Sequence, residues 1–193
     1  MIPAPAPPLS DGVVTLRPWR EEDVDALVRC LDGEEEIVRW LDAIPQPYRE
    51  TEARAWVEHS SSAWQEGSSA PFAVTDATTG ELVGSVGFGW VGDRDEHVGE
   101  VGYWMRRDAR GRGLTTRAVR LVSEWALREL GCGRLQLRAD ERNLPSQRVA
   151  EKAGFTREGV LRSVHFNARQ DRRVDFVMFS LLPAELDLPG RVA

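Results

Sequence analysis

The most informative stretch of this chain is residues 100–116, which read EVGYWMRRDARGRGLTT. The apolar run that ends at Met105 predicts a strand, and the amphipathic run that begins at Leu114 predicts a helix. Gly111 and Gly113 lie at the start of that helix, where unpaired backbone N–H groups and the helix dipole favour an anion. Six arginines and one aspartate give residues 106–120 a local charge of +5. The sequence therefore predicts a site for a phosphorylated ligand.

Three kinds of phosphate-binding loop could account for the two glycines. A dinucleotide-binding fingerprint needs a third glycine where Thr116 stands, although Asp140 could supply its acidic residue. A P-loop needs Gly-Lys-Ser or Gly-Lys-Thr, and the only lysine in the chain is Lys152. The third kind is the diphosphate-binding loop of an acyltransferase that uses coenzyme A.

The segments on either side of this stretch predict a mixed sheet. Strand patterns occupy residues 13–17, 72–74, 82–90, 98–105, 134–139, 155–161 and 173–182. Helical spacing of apolar residues predicts five helices. Three of them are residues 23–31, 34–41 and 114–130. The other two begin at the N-cap residues Thr51 and Asn143 and end near Gly67 and at Gly154. We expect an α/β (α+β) fold with a mixed, mostly antiparallel twisted sheet of six to seven strands and helices on both faces.

The composition is typical of a globular chain with one domain. The 193 residues are 41% hydrophobic and 29% charged, and no apolar run is long enough to span a membrane. We expect a single domain over residues 12–183, between a flexible Pro/Ala-rich tail at 1–11 and a C-terminal tail at 184–193. The lack of a long apolar run predicts that the protein has no membrane partner. Because Cys30 and Cys132 are too few for a disulfide framework, the sequence predicts a cytoplasmic protein.

Charge is distributed unevenly along the chain. The net charge is −6, and residues 21–66 alone carry thirteen acidic residues against four arginines. Global acidity argues against nucleic acid as the main partner. The acidic segment is explained either by solvated helix faces or by attraction of a cationic substrate.

Four separated segments together resemble the GNAT superfamily of N-acetyltransferases. Arg110-x-x-Gly113-x-Thr115 is similar to the superfamily's Arg/Gln-x-x-Gly-x-Gly/Ala signature and departs from it only at Thr115. Residues 143–155, NLPSQRVAEKAGF, resemble the second motif, most closely that of the RimJ/RimL branch, which acetylates protein N-termini. Residues 15–19, TLRPW, resemble the opening of that branch, and residues 100–104 its central strand. The match covers about residues 12–182.

The resemblance implies acetyl-CoA as co-substrate and no metal. Backbone groups of residues 104–107 would pair with the pantetheine arm, and residues 110–116 would surround the diphosphate. Arg112, Arg117 or Arg148 would meet the 3′-phosphate. The expected cofactor-binding residues are Trp104, Met105, Arg106, Arg107, Arg110, Gly111, Arg112, Gly113, Leu114, Thr115, Thr116, Asn143, Ser146 and Arg148.

Glu100 and Ser146 are the expected catalytic residues. Acyl transfer needs an unprotonated amine, and Glu100 is the candidate base, acting directly or through water. The tyrosine with which many relatives protonate the thiolate is replaced by Ala150, so Ser146 is expected to stabilise the thiolate by a hydrogen bond. The three histidines have no metal-ligand spacing, and His165 precedes the last strand, where it could line an acceptor pocket.

The resemblance also implies an acceptor, the α-amino group at the N-terminus of a protein or peptide. A polyamine or an aminoglycoside stays open as the acceptor, because an acidic segment attracts polycations. A non-catalytic acyl-CoA-binding protein and a dinucleotide-dependent oxidoreductase are the other open functions. A homodimer is expected from the resemblance alone.

Overall fold

A computed structural model describes residues 1–186, in which eight strands form one sheet with the order β1-β2-β3-β4-β5-β6-β8-β7. The strands are β1 (Leu9–Ser10), β2 (Val14–Pro18), β3 (Ser69–Asp76), β4 (Leu82–Trp90), β5 (Val98–Met105), β6 (Arg134–Asp140), β7 (Thr156–Asn167) and β8 (Arg172–Leu181). Among these strands β5 and β6 pair in parallel, and all other pairs are antiparallel. The expected class is confirmed, but the expected number of strands was too low, because β1 lies in the presumed tail.

Five α-helices flank the sheet in the described part of the chain: α1 (Val24–Leu31), α2 (Glu35–Trp40), α3 (Glu50–Glu66), α4 (Leu114–Arg128) and α5 (Leu144–Lys152). The predicted cap of α5 is confirmed, since the Asn143 side chain accepts a hydrogen bond from the Ser146 N–H at 3.2 Å. The predicted cap of α3 was wrong. Thr51 lies in the first turn, and the helix start is closed by a hydrogen bond from the Arg49 N–H to Glu52. None of the helices within residues 1–186 has the length and apolar character that a membrane crossing requires.

The helices cover both faces of the sheet, as expected from the alternation of side chains along its strands. On β3, Phe72 and Val74 belong to the core that contains the buried side of α4, whereas Ala73 belongs to a second core with α1 and α3. Phe72 packs edge-on against Trp125 of α4, with ring centroids 5.4 Å apart. The loop between β5 and α4 is thus anchored at both ends by buried elements.

Residues 1–11 pack against the domain, which differs from the flexible tail expected there. Ile2 is only 2% exposed, and its N–H donates to the Trp64 carbonyl at 3.0 Å. Leu9 and Ser10 pair with β2. The buried Ile2 and the pairing of β1 with β2 hold this segment on the domain, although its proline-rich composition suggested a flexible tail. At the other terminus, residues 187–193 of the expected C-terminal tail lie outside the described residues.

Glu158 of β7 links the last three strands of the sheet. It accepts two hydrogen bonds from Arg134 of β6, at 2.8 and 2.6 Å, and one from Ser180 of β8 at 2.8 Å. The Arg134 hydrogen bonds, followed by the Ser180 hydrogen bond, lower the pKa of Glu158 from 4.5 to about 2. The ion pair therefore stabilises the fold fully above pH 4.5, and its contribution is lost as the pH falls towards 2.

We expect Glu158→Gln to lower the melting temperature at pH 7 by roughly 2–4 °C, because a partly exposed ion pair contributes about 1 kcal/mol or less. The difference in melting temperature from the unsubstituted protein should be smaller at about pH 3, because below pH 4.5 the unfolded chain binds a proton at Glu158 that the folded chain does not. Thermal unfolding at the two pH values measures this. Glu58→Gln, at an exposed position of α3, is the control. A difference of the same size at both pH values would contradict the assignment.

Candidate active site

Strands β5 and β6 separate partway along their length and leave a cleft between them. Their ladder runs from the Val98–Arg134 pair to the Glu100–Gln136 pair and stops there. Beyond that point β5 stays paired with β4 as far as Met105, and β6 stays paired with β8 as far as Asp140. The edge of residues 101–105 that faces β6 therefore has no strand partner within the described residues. The cleft has a volume of about 650 Å³.

Most of the residues expected from the sequence line this cleft. They are Glu100, Trp104, Met105, Arg110, Gly111, Gly113, Thr115, Thr116, Asn143, Ser146 and Arg148. They come from β5, from the loop that precedes α4 and from the first turns of α4 and α5. The parallel connection from β5 through α4 to β6 and on to α5 brings these four places together at the end of the sheet where the strands diverge.

The loop before α4 presents a row of free amides. Gly111 and Gly113 have φ angles of +75° and +77°, and a Cβ atom at either position would meet no atom within 4 Å. Within residues 1–186, the N–H groups of 111–116 donate to no acceptor. This arrangement combines the free N–H groups of a helix start with the positive end of its dipole, and it suits the oxygens of a diphosphate.

Four of the residues expected to bind the cofactor have side chains that lie outside the cleft. Arg106 pairs with Glu81 at 2.7 Å and Asp108 at 2.6 Å, and with Arg107 it lines a separate pocket beside α1. Arg112 lies 3.6 Å from Asp76 at the end of β3, outside the cleft lining. Leu114 is 2% exposed and belongs to the core. A helical turn over Arg107–Ala109 accounts for the positions of Arg106 and Arg107, because it redirects the chain immediately after β5. Arg112 and Leu114 still contribute main-chain N–H groups to the row of free amides.

Arg110 connects the loop to β5 and to the helix α2 through its side chain. Its guanidinium pairs with Glu36 of α2 and lies 3.6 Å from Glu34, while its Nε donates to the Met105 carbonyl at 2.9 Å. The arginine of the sequence signature therefore fixes the loop against β5 and α2. Because the carboxylates of Glu34 and Glu36 compensate the positive charge of Arg110, the free amides are the principal donors that the loop offers to an anion.

Ser146 is joined to a tyrosine that the sequence did not single out. The Tyr103 Oη and the Ser146 Oγ lie 2.7 Å apart, within hydrogen-bond distance. Burial raises the pKa of Tyr103 to about 12, partly opposed by the hydrogen bond with Ser146. Strand alternation had placed Tyr103 on the face opposite Glu100, and α5 packs on that face. The phenol is therefore protonated at neutral pH and can act as a donor.

Glu100 lies in the cleft with both carboxylate oxygens engaged. Arg138 of β6 donates to Oε1 and to Oε2 at 2.8 Å, and Gln136 donates to Oε2 at 2.7 Å. These three bonds lie at the point where β5 and β6 begin to diverge. Three of the four lone-pair sites of the carboxylate are therefore occupied by donors from β6, and one site on Oε1 remains.

A histidine and an aspartate face each other at the far end of the cleft. The His165 Nε2 lies 3.2 Å from both oxygens of Asp42, and the imidazole stacks on Phe176 with centroids 5.6 Å apart. All three residues line the cleft. The position of His165 before the last strand was the only sequence signal for this end. Asp42 was missed because 123 residues separate it from its partner.

Comparison with known proteins points to one family. The model of the acetyltransferase (GNAT) domain matches residues 14–156. The chain is 27% identical over 172 residues to the uncharacterized N-acetyltransferase p20 of Bacillus licheniformis, covering 89% of this chain and 94% of p20. It is 33% identical over 94 residues to the putative ribosomal N-acetyltransferase YdaF of Bacillus subtilis, covering 48% and 50% of the two chains. The structure of Mycobacterium smegmatis RimJ in complex with CoA-disulfide is similar, with a TM-score of 0.81, 22% identity and coverage of 94% and 87%.

Proposed function

This chain belongs to the GNAT family of acetyltransferases, and on that premise we propose that it acetylates the N-terminal α-amino group of a protein or peptide. The family resemblance predicted from the four sequence motifs is confirmed. The reaction class follows from the family: an acetyl-CoA-dependent N-acetyltransferase. The proposal concerns the acceptor and the residues that act on it. Coenzyme A binding is supported above all by the row of free amides at residues 111–116, beside a strand edge that has no strand partner within residues 1–186, and the acceptor by the charges at the other end of the cleft.

The cleft offers matching groups to three parts of coenzyme A, namely the pantetheine arm, the diphosphate and the 3′-phosphate. The free edge of β5 offers main-chain donors and acceptors with which the amides of a pantetheine arm can pair as an additional strand would. The amides of residues 111–116 offer donors to the diphosphate. Arg148, exposed at the rim, offers a cation to the 3′-phosphate. When bound, acetyl-CoA supplies a thioester with an electrophilic carbonyl carbon and a thiolate leaving group.

The charges of the acceptor end favour a single amine over a polycation. Each carboxylate there has a basic partner: Glu36 with Arg110, Asp42 with His165, and Glu100 with Arg138. The two arginines compensate Glu36 and Glu100, and Asp42 beside a neutral imidazole leaves one negative charge, which suits a single ammonium group better than a polyamine. An α-amino group, with an ordinary pKa of about 7.7–8.0, also loses its proton more easily than a lysine side chain at about 10.4. The similarity to the putative ribosomal N-acetyltransferase YdaF supports a protein as the acceptor.

Ser146 and Tyr103 would stabilise the sulfur that leaves. The Tyr103 Oη lies 3.2 Å from the Ser146 carbonyl oxygen and 2.7 Å from the Ser146 Oγ; with its single proton directed to the closer Oγ, the proton of Ser146 is free to point into the cleft. A chain of two hydroxyls polarises its terminal donor, and that donor strengthens as negative charge develops on sulfur. Glu100 would hold Arg138 and Gln136 at the point where the strands diverge, and the remaining lone-pair site on its Oε1 would accept a hydrogen bond from the acceptor amine, directly or through water.

Removing either expected catalytic group should slow turnover without loosening the cofactor. We expect Ser146→Ala to lower kcat by about 10–100-fold, the effect of one hydrogen bond to a charged group. Glu100→Gln should lower kcat as well, since it exchanges the ion pair with Arg138 for a neutral contact. Thiol release measures turnover, and calorimetry measures coenzyme A binding. Ser123→Ala is the matched control, because the buried Ser123 hydroxyl of α4 has no hydrogen-bond partner among the described residues. Unchanged turnover in both site variants would remove these two assignments.

The acceptor itself is tested by thiol release with a panel of amines. Peptides with free N-termini, the same peptides with blocked N-termini, a polyamine and an aminoglycoside form the panel. We expect turnover with free N-termini and none with blocked ones. Turnover confined to the polyamine or the aminoglycoside would assign a small-molecule acceptor. Binding of coenzyme A without thiol release from any amine would assign a non-catalytic acyl-CoA-binding protein.

A further inference from the structure

We infer that His165, oriented by Asp42, is the group that takes the proton from the acceptor amine; the inference rests on the proposed amine acetylation in this cleft. His165 would be a catalytic residue in contact with the amine, and Asp42 a positioning residue that acts through it. Neither residue belongs to the sequence motifs that carry the family resemblance. The inference comes from four features of the cleft end formed by β7, β8 and the segment after α2.

The first feature is the hydrogen bonding of the imidazole. The His165 Nε2 faces both oxygens of Asp42 at 3.2 Å, so its proton is directed at the carboxylate. Asp42 is itself fixed, because its Oδ2 accepts the Ala168 N–H at 3.1 Å. With the proton on Nε2, the lone pair lies on Nδ1, which has no hydrogen bond within residues 1–186. The His165 side chain is 40% exposed, and an amine in the cleft can therefore approach it.

The second feature is a bulge that sets the direction of His165. The register between β7 and β8 shifts between Leu161 and His165. Within this bulge Ser163 has a φ of +54°, a left-handed conformation that a serine rarely adopts. Asp175 holds the Ser163 N–H at 2.7 Å, and Arg173 donates to the Ser163 Oγ at 2.7 Å. Bulges next to active sites redirect a side chain, and strained residues concentrate at such places.

The third feature is the attachment of the Asp42 segment to the hairpin that carries His165. Asn167 and Gln170 both donate to the Arg39 carbonyl, at 3.0 and 2.8 Å. Arg169 donates to the Ile44 carbonyl at 2.6 Å. These bonds flank Asp42 on both sides along the chain. The carboxylate and the imidazole are thus held in position before any substrate arrives, which is what general-base catalysis requires.

The fourth feature is the contrast with Glu100. Three hydrogen bonds occupy the Glu100 carboxylate, whereas His165 keeps one ring nitrogen free. The two sites are contiguous, because the Arg138 guanidinium that binds Glu100 also lies over the Phe176 ring, 5.7 Å from its centroid, and His165 stacks on the same ring. Among the described residues, Asp42 contacts the imidazole directly and Arg138 lies over the ring beneath it. Histidine is also the side chain that ordinarily changes charge between pH 5 and 8.

In this step the acetyl group moves from sulfur to nitrogen, and the acceptor nitrogen loses two protons. The ammonium form of the acceptor gives one proton to the His165 Nδ1, and the amine lone pair then forms a C–N bond with the thioester carbonyl carbon. The C–S bond breaks, and its electron pair leaves with the sulfur. The second proton lost by the nitrogen neutralises the thiolate beside Ser146, so the products are the amide and the thiol. His165 returns its proton to solvent.

The test compares pH profiles of thiol release for His165→Gln, Asp42→Asn and a control, His59→Gln, which replaces an exposed histidine of α3 outside the cleft. We expect His165→Gln to lower kcat/KM for the amine by about 100-fold and to abolish the acidic limb of the profile, with unchanged coenzyme A affinity and melting temperature. Asp42→Asn should lower kcat/KM about tenfold with the acidic limb retained, because the imidazole loses the carboxylate that fixes its tautomer and orientation, and Asp42→Glu should recover part of that loss. His59→Gln should behave like the unsubstituted protein.

Turnover of His165→Gln within threefold of the unsubstituted protein, with its acidic limb retained, would overturn the inference. Loss of that limb in Glu100→Gln but not in His165→Gln would overturn it too and assign the base to Glu100. The same variants are assayed with every amine of the panel, so the acceptor class is tested separately. If a polyamine alone is acetylated, the proposed acceptor is wrong while the effect of His165→Gln still decides the role of the histidine. If no amine releases thiol, both proposals fail.

Discussion

Replacing Thr115 by glutamate is expected to weaken coenzyme A binding roughly 100-fold. Thr115 lies in the first turn of α4, where its side chain lines the cleft and its N–H belongs to the row of free amides. A carboxylate about 5 Å from a phosphate, at an effective dielectric constant near 20, is repelled by roughly 3 kcal/mol per charge. Each 1.4 kcal/mol changes a dissociation constant about tenfold. Calorimetric titration with coenzyme A measures the loss.

Thr115→Gln is the matched control, since glutamine has nearly the shape of glutamate without its charge. We expect it to bind coenzyme A within a few-fold of the unsubstituted protein. The glutamate variant should be at least as stable to heat, because a negative charge at a helix N-terminus stabilises the helix. A weakened but fully folded variant therefore separates binding from folding. Equal affinities of the two variants would place the diphosphate elsewhere.

Replacing Gly99 by alanine is expected to lower the melting temperature by about 6–12 °C. Gly99 lies in the short paired part of β5 and β6, directly before the strands diverge. An alanine Cβ there would come within 2.2 Å of the Phe88 ring and 3.0 Å of Leu135. Both neighbours are buried, at 1% and 0% exposure, and cannot move into solvent. Overpacking of this kind costs about 3 kcal/mol, and each kilocalorie shifts the melting temperature of a chain of this size by roughly 2–4 °C.

Gly102→Ala is the control for this substitution on the same strand. Gly102 lines the cleft, and a Cβ atom at this position would meet nothing within 4 Å. We expect its melting temperature to remain within about 2 °C of the unsubstituted protein. The pair of variants distinguishes the closed part of the β5–β6 ladder from the open part. Similar melting temperatures for the two variants would contradict the close packing at the point of divergence.

Much of the fold could be predicted because its signals are local. Alternation of apolar residues gave the positions of seven strands, and the cap of α5 at Asn143 follows from the chemistry of one side chain. Gly111 and Gly113 have the positive φ angles that a turn before a helix requires. The family resemblance likewise depended on short motifs, and the match over residues 14–156 confirmed it.

The side-chain partners could not be predicted, because they depend on how distant elements meet. Arg106 and Arg107 belong to the same basic run as Arg110, yet a turn after β5 sends them to another pocket. The basic composition of the loop was therefore a less reliable guide to the anion site than its free amides. The same limit applies to Tyr103, whose contact with Ser146 exists only because α5 packs beside β5.

Residues 100–116 and their flanking periodicity thus specified the strand, the glycine turn and the helix, since each depends on neighbours a few positions away. The divergence of β5 from β6, the pairing of Asp42 with His165 and the docking of Ile2 depend on packing between segments far apart in the chain. Local patterns fix backbone conformation, whereas the direction and partner of a side chain follow from burial and hydrogen bonding across the folded molecule.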